Sequence, residues 1–208
     1  MAEITTLFWD VGGVLATNGW DQEARHAAAL QFRFDEADFE QRHEAMVSAL
    51  ETGKISLDDY LERTVFCRQQ SFNCDSLKSF IFTHSQPKPD SLALARELAD
   101  KYLMAAINNE SLELNLYRIK QLGLRGIFTA FFSSCFVRLC KPDPAIYQLA
   151  LDVTQKSADE CCFIDDRPLN LDGARQTGMC VIHFENVTQL REELAALGVS
   201  VAPAVPVA

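Results

Sequence analysis

Apolar residues follow two rhythms along this chain. Four short, nearly unbroken apolar runs, at 4–9, 102–107, 161–164 and 179–184, each predict a strand, the first three of them buried. A shorter strand is expected within 127–134. Elsewhere apolar positions recur every three or four residues. That spacing predicts helices over 20–32, 35–50, 57–68, 76–82, 91–101, 112–122, 144–153, 169–177 and 187–197. The punctuation agrees. Gly53, Gly123 and Gly178 stop helices, Ser56 with Asp59 starts one, and Asp143 caps another that has Pro144 in its first position.

The order of these elements carries the fold. After the first strand come four helices and no strand of comparable quality. From Pro87 and Pro89 onward, strands and helices alternate. Alternation predicts an α/β chain with a Rossmann-like, doubly wound parallel sheet and right-handed crossovers. The core is expected over 1–15 and 86–200, with 16–85 inserted as an all-helical cap. The tail after Gly198, with 201–208 set apart from the core, has no period and two prolines, and is expected to be only loosely attached.

Composition narrows the class. With 208 residues and 48% hydrophobic content, one domain carrying an insertion can bury a sizeable core. The net charge is −10 and the basic residues are scattered, which argues against a nucleic-acid partner. Such a surface repels anions at long range, so any anion site must be locally positive. Seven cysteines, odd in number and without zinc spacing, read as free thiols in a reducing, cytoplasmic setting. Neither a leader segment nor an uncharged apolar run of about 18 residues is seen, so no membrane association is expected. A monomer or a homodimer is compatible with all of this.

Candidate chemistry lies at the ends of the apolar runs. Asp10 closes the first run and enters the Gly12-Gly13 turn. Asn108 and Asn109 follow the second, Lys141 precedes Pro142, and Asp165-Asp166 follow the Cys161–Ile164 run. Open parallel sheets place ligands outside the carboxyl ends of their strands. Glycines let backbone N–H groups approach an anion, a lysine neutralises it, and paired carboxylates invite a hard cation. Taken singly, Asp10 could be a turn cap, Asn108 a helix cap and Lys141 a solvated side chain. The four histidines, His26, His43, His84 and His183, show no ligand spacing and read as surface or packing residues. His26 and His43 lie on cap helices that could overhang the site.

In order, Phe8-Trp9-Asp10-Val11-Gly12-Gly13-Val14-Leu15, Ile107-Asn108-Asn109, Lys141-Pro142-Asp143-Pro144 and Phe163-Ile164-Asp165-Asp166-Arg167 with Asn170, Ala174 and Gly178 resemble the four motifs of the haloacid dehalogenase-like hydrolases. These are mostly Mg²⁺-dependent phosphatases. The resemblance spans nearly the whole chain and implies hydrolysis of a small phosphorylated metabolite. Asp10 would be the nucleophile, passing through an aspartyl-phosphate, with Lys141 as its charge partner. Gly12, Gly13, Asn108, Asn109 and Lys141 would hold the phosphate. Asp10, the Gly12 carbonyl and Asp166 would ligate Mg²⁺, with Asp165 behind and Asn170 orienting the loop.

Two departures alter the expected chemistry. The family's second aspartate is Gly12 here, and its second-motif hydroxyl is Asn108. Lacking the usual acid, the site is expected to favour good leaving groups such as sugar 1-phosphates. A metal-free 2-haloacid dehalogenase and a non-catalytic phosphometabolite-binding protein stay open as alternatives.

Overall fold

The computed structural model describes residues 2–202. Five strands, β1 (Thr6–Trp9), β2 (Leu103–Asn108), β3 (Ala130–Ser133), β4 (Cys161–Asp165) and β5 (Cys180–His183), form one sheet in the order β3-β2-β1-β4-β5. All four pairings are parallel. Side chains alternate strictly across it. Leu7, Trp9, Met104, Ala106, Cys162 and Ile164 enter one apolar cluster, while Phe8, Ala105, Ile107, Cys161 and Phe163 enter another. That two-sided burial is why these runs are continuously apolar rather than alternating.

Four helices, α1 (Gln22–Phe32), α2 (Glu36–Glu51), α3 (Leu57–Thr64) and α4 (Cys74–Thr83), lie between β1 and the rest of the sheet. Asp21, Asp35, Ser56 and Asn73 cap them, each accepting a hydrogen bond from a first-turn N–H. The chain leaves and returns side by side, since Ala16 pairs with Pro87 and the Thr17 N–H donates to the Gln86 carbonyl. These helices share an apolar cluster of their own, built on Phe39, Tyr60, Leu61 and Leu77.

The remaining helices are α5 (Pro89–Ala99), α6 (Leu112–Gln121), α7 (Ser134–Val137), α8 (Pro144–Thr154), α9 (Pro168–Arg175) and α10 (Val187–Ala196). Leu92 and Leu98 of α5, Ile119 of α6 and Leu190 of α10 pack on one face of the sheet. Ile146 and Tyr147 of α8 and Leu171 and Ala174 of α9 pack on the other. Helix α6 also serves the cap. Its Leu114 belongs to the cap cluster, and its Glu113 carboxylate accepts from the Leu57 N–H at 2.9 Å.

Three local readings differ from the sequence expectation. The third strand is short and lies within 127–134 as expected, but it runs directly into α7, a helix with no periodic signature of its own. The third cap helix stops at Thr64 instead of 68, where Val65 takes over as C-cap. The start of the tail is tied down: Val199 is buried, Tyr102 Oη accepts from the Ser200 N–H at 2.7 Å, and Glu97 accepts from Ala202 N–H at 2.6 Å. The rest of the expected loose tail, 203–208, lies outside the described residues.

Candidate active site

β1 is central, with β2 and β4 on either side; the crossovers to β2 and β3 run over one face through α5 and α6, and those to β4 and β5 over the other through α8 and α9. The carboxyl ends of these three strands therefore meet at a switch point, where an open sheet leaves a crevice. Asp10, Asn108-Asn109 and Asp165-Asp166 all sit there, and the loop before α8 brings in Lys141.

The nucleophile candidate is held by one oxygen. Asp10 Oδ1 accepts from the Val11 N–H at 2.7 Å and sits 3.0 Å from Lys141 Nζ. Its Oδ2 has no hydrogen-bond partner among the described residues, which leaves it open to react. Burial pushes the Asp10 carboxyl up to about 7; Lys141 opposes that shift and Asp165 adds to it. The Lys141 ammonium is buried too. Burial alone would lower its pKa, but Asp10 and Asp165 outweigh burial and raise it, so the lysine stays charged.

Asp165 is fully buried and fully engaged. It accepts from Lys141 Nζ at 2.6 Å, from Asn170 Nδ2 at 3.0 Å and from the Arg167 N–H at 2.8 Å. Asp166 is the opposite case. Its Oδ1 is buried without any hydrogen-bond partner, and burial followed by the Asp165 charge raises its pKa. Asp10, Asp165 and Asp166 each offer an oxygen within 4.8 Å of the others. Three carboxylates facing one ammonium repel each other, and an orphaned buried oxygen among them suits a hard divalent cation.

Gly13 makes this packing possible. It has a φ of 77°, and a Cβ on it would lie 2.1 Å from Asp166 Oδ2. Any side chain there would drive Asp166 away from Asp10. Gly12 answers to a different neighbour. A Cβ on it would meet Asn18 Oδ1 at 2.9 Å and Arg118 Nη1 at 3.1 Å.

A cavity of about 450 Å³ opens beside Asp10, roofed by the cap. Of the expected phosphate contacts, Gly12, Asn109 and Lys141 line it, whereas Gly13 and Asn108 stand behind the wall. Gly13 lies against Asp166. The Asn108 amide donates to Asn115 Oδ1 at 3.0 Å, and its oxygen accepts from Ser133 Oγ at 2.8 Å, so this side chain braces β2 against β3 and α6. Asn109 clamps the lysine loop: its Oδ1 accepts from the Lys141 N–H at 2.8 Å and its Nδ2 donates to the Lys141 carbonyl at 2.9 Å.

Among the cavity residues, Arg118, Glu110 and Glu51 have no counterpart in the sequence reading, and Arg167 appears there only as part of the fourth motif, without a role. Arg118 is buried, donates to Glu110, Ser85 and the Thr17 carbonyl, and faces Gly12. It does leave a sequence signal, because with Asn115 it puts two polar residues on the inward stripe of α6, beside Leu114 and Ile119. His43 is a packing residue that also lines the cavity. Its Nδ1 pairs with Tyr60 Oη at 2.8 Å, and burial lowers its pKa to about 4. His26 is exposed and pairs with Glu36.

Residues 4–178 match the model of a hydrolase family described as haloacid dehalogenase-like hydrolase. Flavin mononucleotide hydrolase 1 of Arabidopsis thaliana is 29% identical over 161 residues, which are 77% of this chain and 65% of that protein. The chain thus spans just under two thirds of that relative's length. Among solved structures, a HAD family enzyme of Bacteroides thetaiotaomicron superposes with a TM-score of 0.80 at 19% identity, over 91% of this chain and 99% of that one. The same enzyme is known in complex with magnesium and inorganic phosphate, at a TM-score of 0.77. An L-2-haloacid dehalogenase of Xanthobacter autotrophicus, with chloropropionic acid covalently bound, superposes at 0.62 with 18% identity, over 95% and 84% of the two chains. At these identities the structural likenesses speak for the fold. Among the described residues, no helix is long and apolar enough to cross a membrane.

Proposed function

The chain belongs to the haloacid dehalogenase-like hydrolases, and from that premise we propose that it is a Mg²⁺-dependent phosphatase acting on a small phosphorylated metabolite. The observation that carries this reading is the orphaned, buried Asp166 Oδ1 beside Asp10 and Asp165. A metal-free dehalogenase has no use for three crowded carboxylates. Asp10, the Gly12 carbonyl and Asp166 would hold the ion, while Asp165 is taken up by Lys141 and Asn170. When bound, the cation neutralises the cluster and the incoming phosphate, and so keeps Asp10 ionised near neutral pH.

The chain's own residues do the rest. Asp10 Oδ2 attacks phosphorus as the bond to the leaving oxygen breaks, giving an aspartyl-phosphate that water then cleaves. Lys141 holds Asp10 Oδ1 and offsets negative charge in the buried site. Asn109 fixes the loop that carries Lys141. The cap narrows access and limits bulk water, which favours a small substrate over a macromolecule. The relative that hydrolyses flavin mononucleotide suggests phosphate esters of compact, polar metabolites as the first panel to assay.

The test is turnover of such a panel with Mg²⁺ and with excess chelator. Wild-type protein should release phosphate only with the metal. Asp166→Ala should lower turnover at saturating Mg²⁺ by at least about 10²-fold, the scale of losing one preorganised electrostatic group. Equal rates in Mg²⁺ and in chelator would overturn the metal assignment. Halide release from 2-haloacids under chelation would replace the phosphatase reading with the dehalogenase one.

A further inference from the structure

With Gly12 in place of the family's second aspartate, the reaction has no evident proton donor for the leaving alcohol. Four carboxyls and one imidazole line the cavity: Asp10, Asp21, Glu51, Glu110 and His43. Asp10 is the nucleophile. Asp21 caps α1, accepting from the Ala24 N–H at 2.9 Å. Glu110 is ion-paired with Arg118 at 2.7 Å and also accepts from the Ser111 N–H, so both of its oxygens are engaged. His43 is bound to Tyr60 and is neutral at physiological pH. Glu51 alone has a carboxyl with no hydrogen-bond or ion-pair partner among the described residues.

We infer that Glu51, the last residue of cap helix α2, is the acid–base catalyst of this phosphatase, protonating the leaving oxygen in place of the missing aspartate. The inference rests on the phosphatase reading above and names a residue for it.

Glu51 comes from the cap, yet it is anchored to the core. Its backbone carbonyl accepts from Ser134 Oγ at 2.6 Å, and that same hydroxyl accepts from the Glu110 N–H at 2.9 Å. Gly53, two residues on, turns with a φ of 64°, and a Cβ there would lie 2.6 Å from the Cys135 carbonyl oxygen. The end of α2 is thus seated directly on α7, and Glu51 is placed by the core as much as by the cap.

Its surroundings suit the task. Glu110 faces it from the loop after β2, Lys141 and Cys140 from the loop before α8, and Arg167 from the N-cap of α9. Burial, helped by Glu110 and opposed by Arg167 and Lys141, raises its carboxyl to about 7, where a proton can be both given and retaken. A carboxylate grafted at Gly12 would instead meet the Arg118 guanidinium, which favours the ionised form and makes a poor donor.

The proton balance closes. In the first step Asp10 Oδ2 bonds to phosphorus, the P–O bond to the alcohol breaks, and the Glu51 proton passes to the departing oxygen. In the second, water bonds to phosphorus, its proton returns to Glu51, and the bond from Asp10 to phosphorus breaks. Alcohol and inorganic phosphate leave, and both side chains are restored. On this account alkyl phosphates are within reach, and the expected preference for sugar 1-phosphates no longer follows from Gly12.

The experiment compares wild type and Glu51→Gln on p-nitrophenyl phosphate, whose leaving group needs no proton, and on primary-alkyl phosphates, with Mg²⁺. Because kcat/KM reports only steps through formation of the aspartyl-phosphate, it isolates leaving-group protonation. For the alkyl esters it should fall by about 10²–10⁴-fold, while the aryl ester changes by less than about tenfold. The alkyl pH profile of wild type should also decline above about 7, a limb absent from Glu51→Gln. Equal loss on both substrates, or no loss on either, would overturn the role of Glu51 and leave the phosphatase reading standing. Failure of wild type to hydrolyse any ester with Mg²⁺ would overturn both.

Discussion

Asp10→Asn should keep its fold and lose turnover by roughly 10⁴-fold or more, the scale seen when a catalytic nucleophile is removed. Asparagine preserves the oxygen that accepts from Val11 N–H and faces Lys141. It removes only the negative charge and the ability to form an acyl phosphate. In the metal-free protein it also removes a carboxylate that its surroundings push up to about 7. The melting temperature without Mg²⁺ should therefore hold or rise while activity disappears. Steady-state turnover and a thermal melt on the same preparation check both halves. A rate within tenfold of wild type would exclude the covalent route.

The largest expected stability effect is at Asp165, whose oxygens are taken up by Lys141, Asn170 and the Arg167 N–H. Asp165→Ala leaves the Lys141 ammonium, 5% exposed, with Asp10 as its sole carboxylate partner at 3.0 Å. It also strands the Asn170 amide and the Arg167 N–H. Breaking a buried pair from one side costs about 3–5 kcal/mol. For a chain of this size that is a fall in melting temperature of roughly 6–20 °C. Asp165→Asn, which keeps hydrogen-bonding atoms in place, should lose less. Thermal melts of both variants in chelator give the answer, and an Asp165→Ala melt within about 2 °C of wild type would show that the lysine finds support elsewhere.

What could be seen in the sequence follows from how local each signal is. β1, β2 and β4 were legible because burial on both faces demands unbroken apolar runs, and the cap helices because one face alone is buried. β3 was blurred. Ala130 and Phe131 are only half-buried, and the strand enters α7 without a turn residue. The anchoring of Val199–Ala202 depends on Tyr102, Glu97 and Arg191, about a hundred or fewer residues away in sequence but unreadable as neighbours. Within the site, Asp10, Lys141, Asp165 and Asp166 sit in recognisable local strings. Glu51, Glu110 and Arg118 do not, since each acquires meaning only when α2, α6 and the Gly12 turn are brought together. Asn108 shows the converse: its string matches a phosphate contact, but a buried network with Asn115 and Ser133 claims its side chain.

Helix α6 has two loyalties, and they bear on how such proteins diversify. It packs Ile119 beneath the sheet and lends Leu114 and Glu113 to the cap. Residues 17–86 are therefore not a self-contained cassette. Exchanging that segment between relatives, by recombination or by an engineer, would set a foreign helix bundle on a native α6 and mismatch the seam. The packing unit over the site is discontinuous, 17–86 together with 112–121, so its apolar cluster can travel intact only when both pieces move as one.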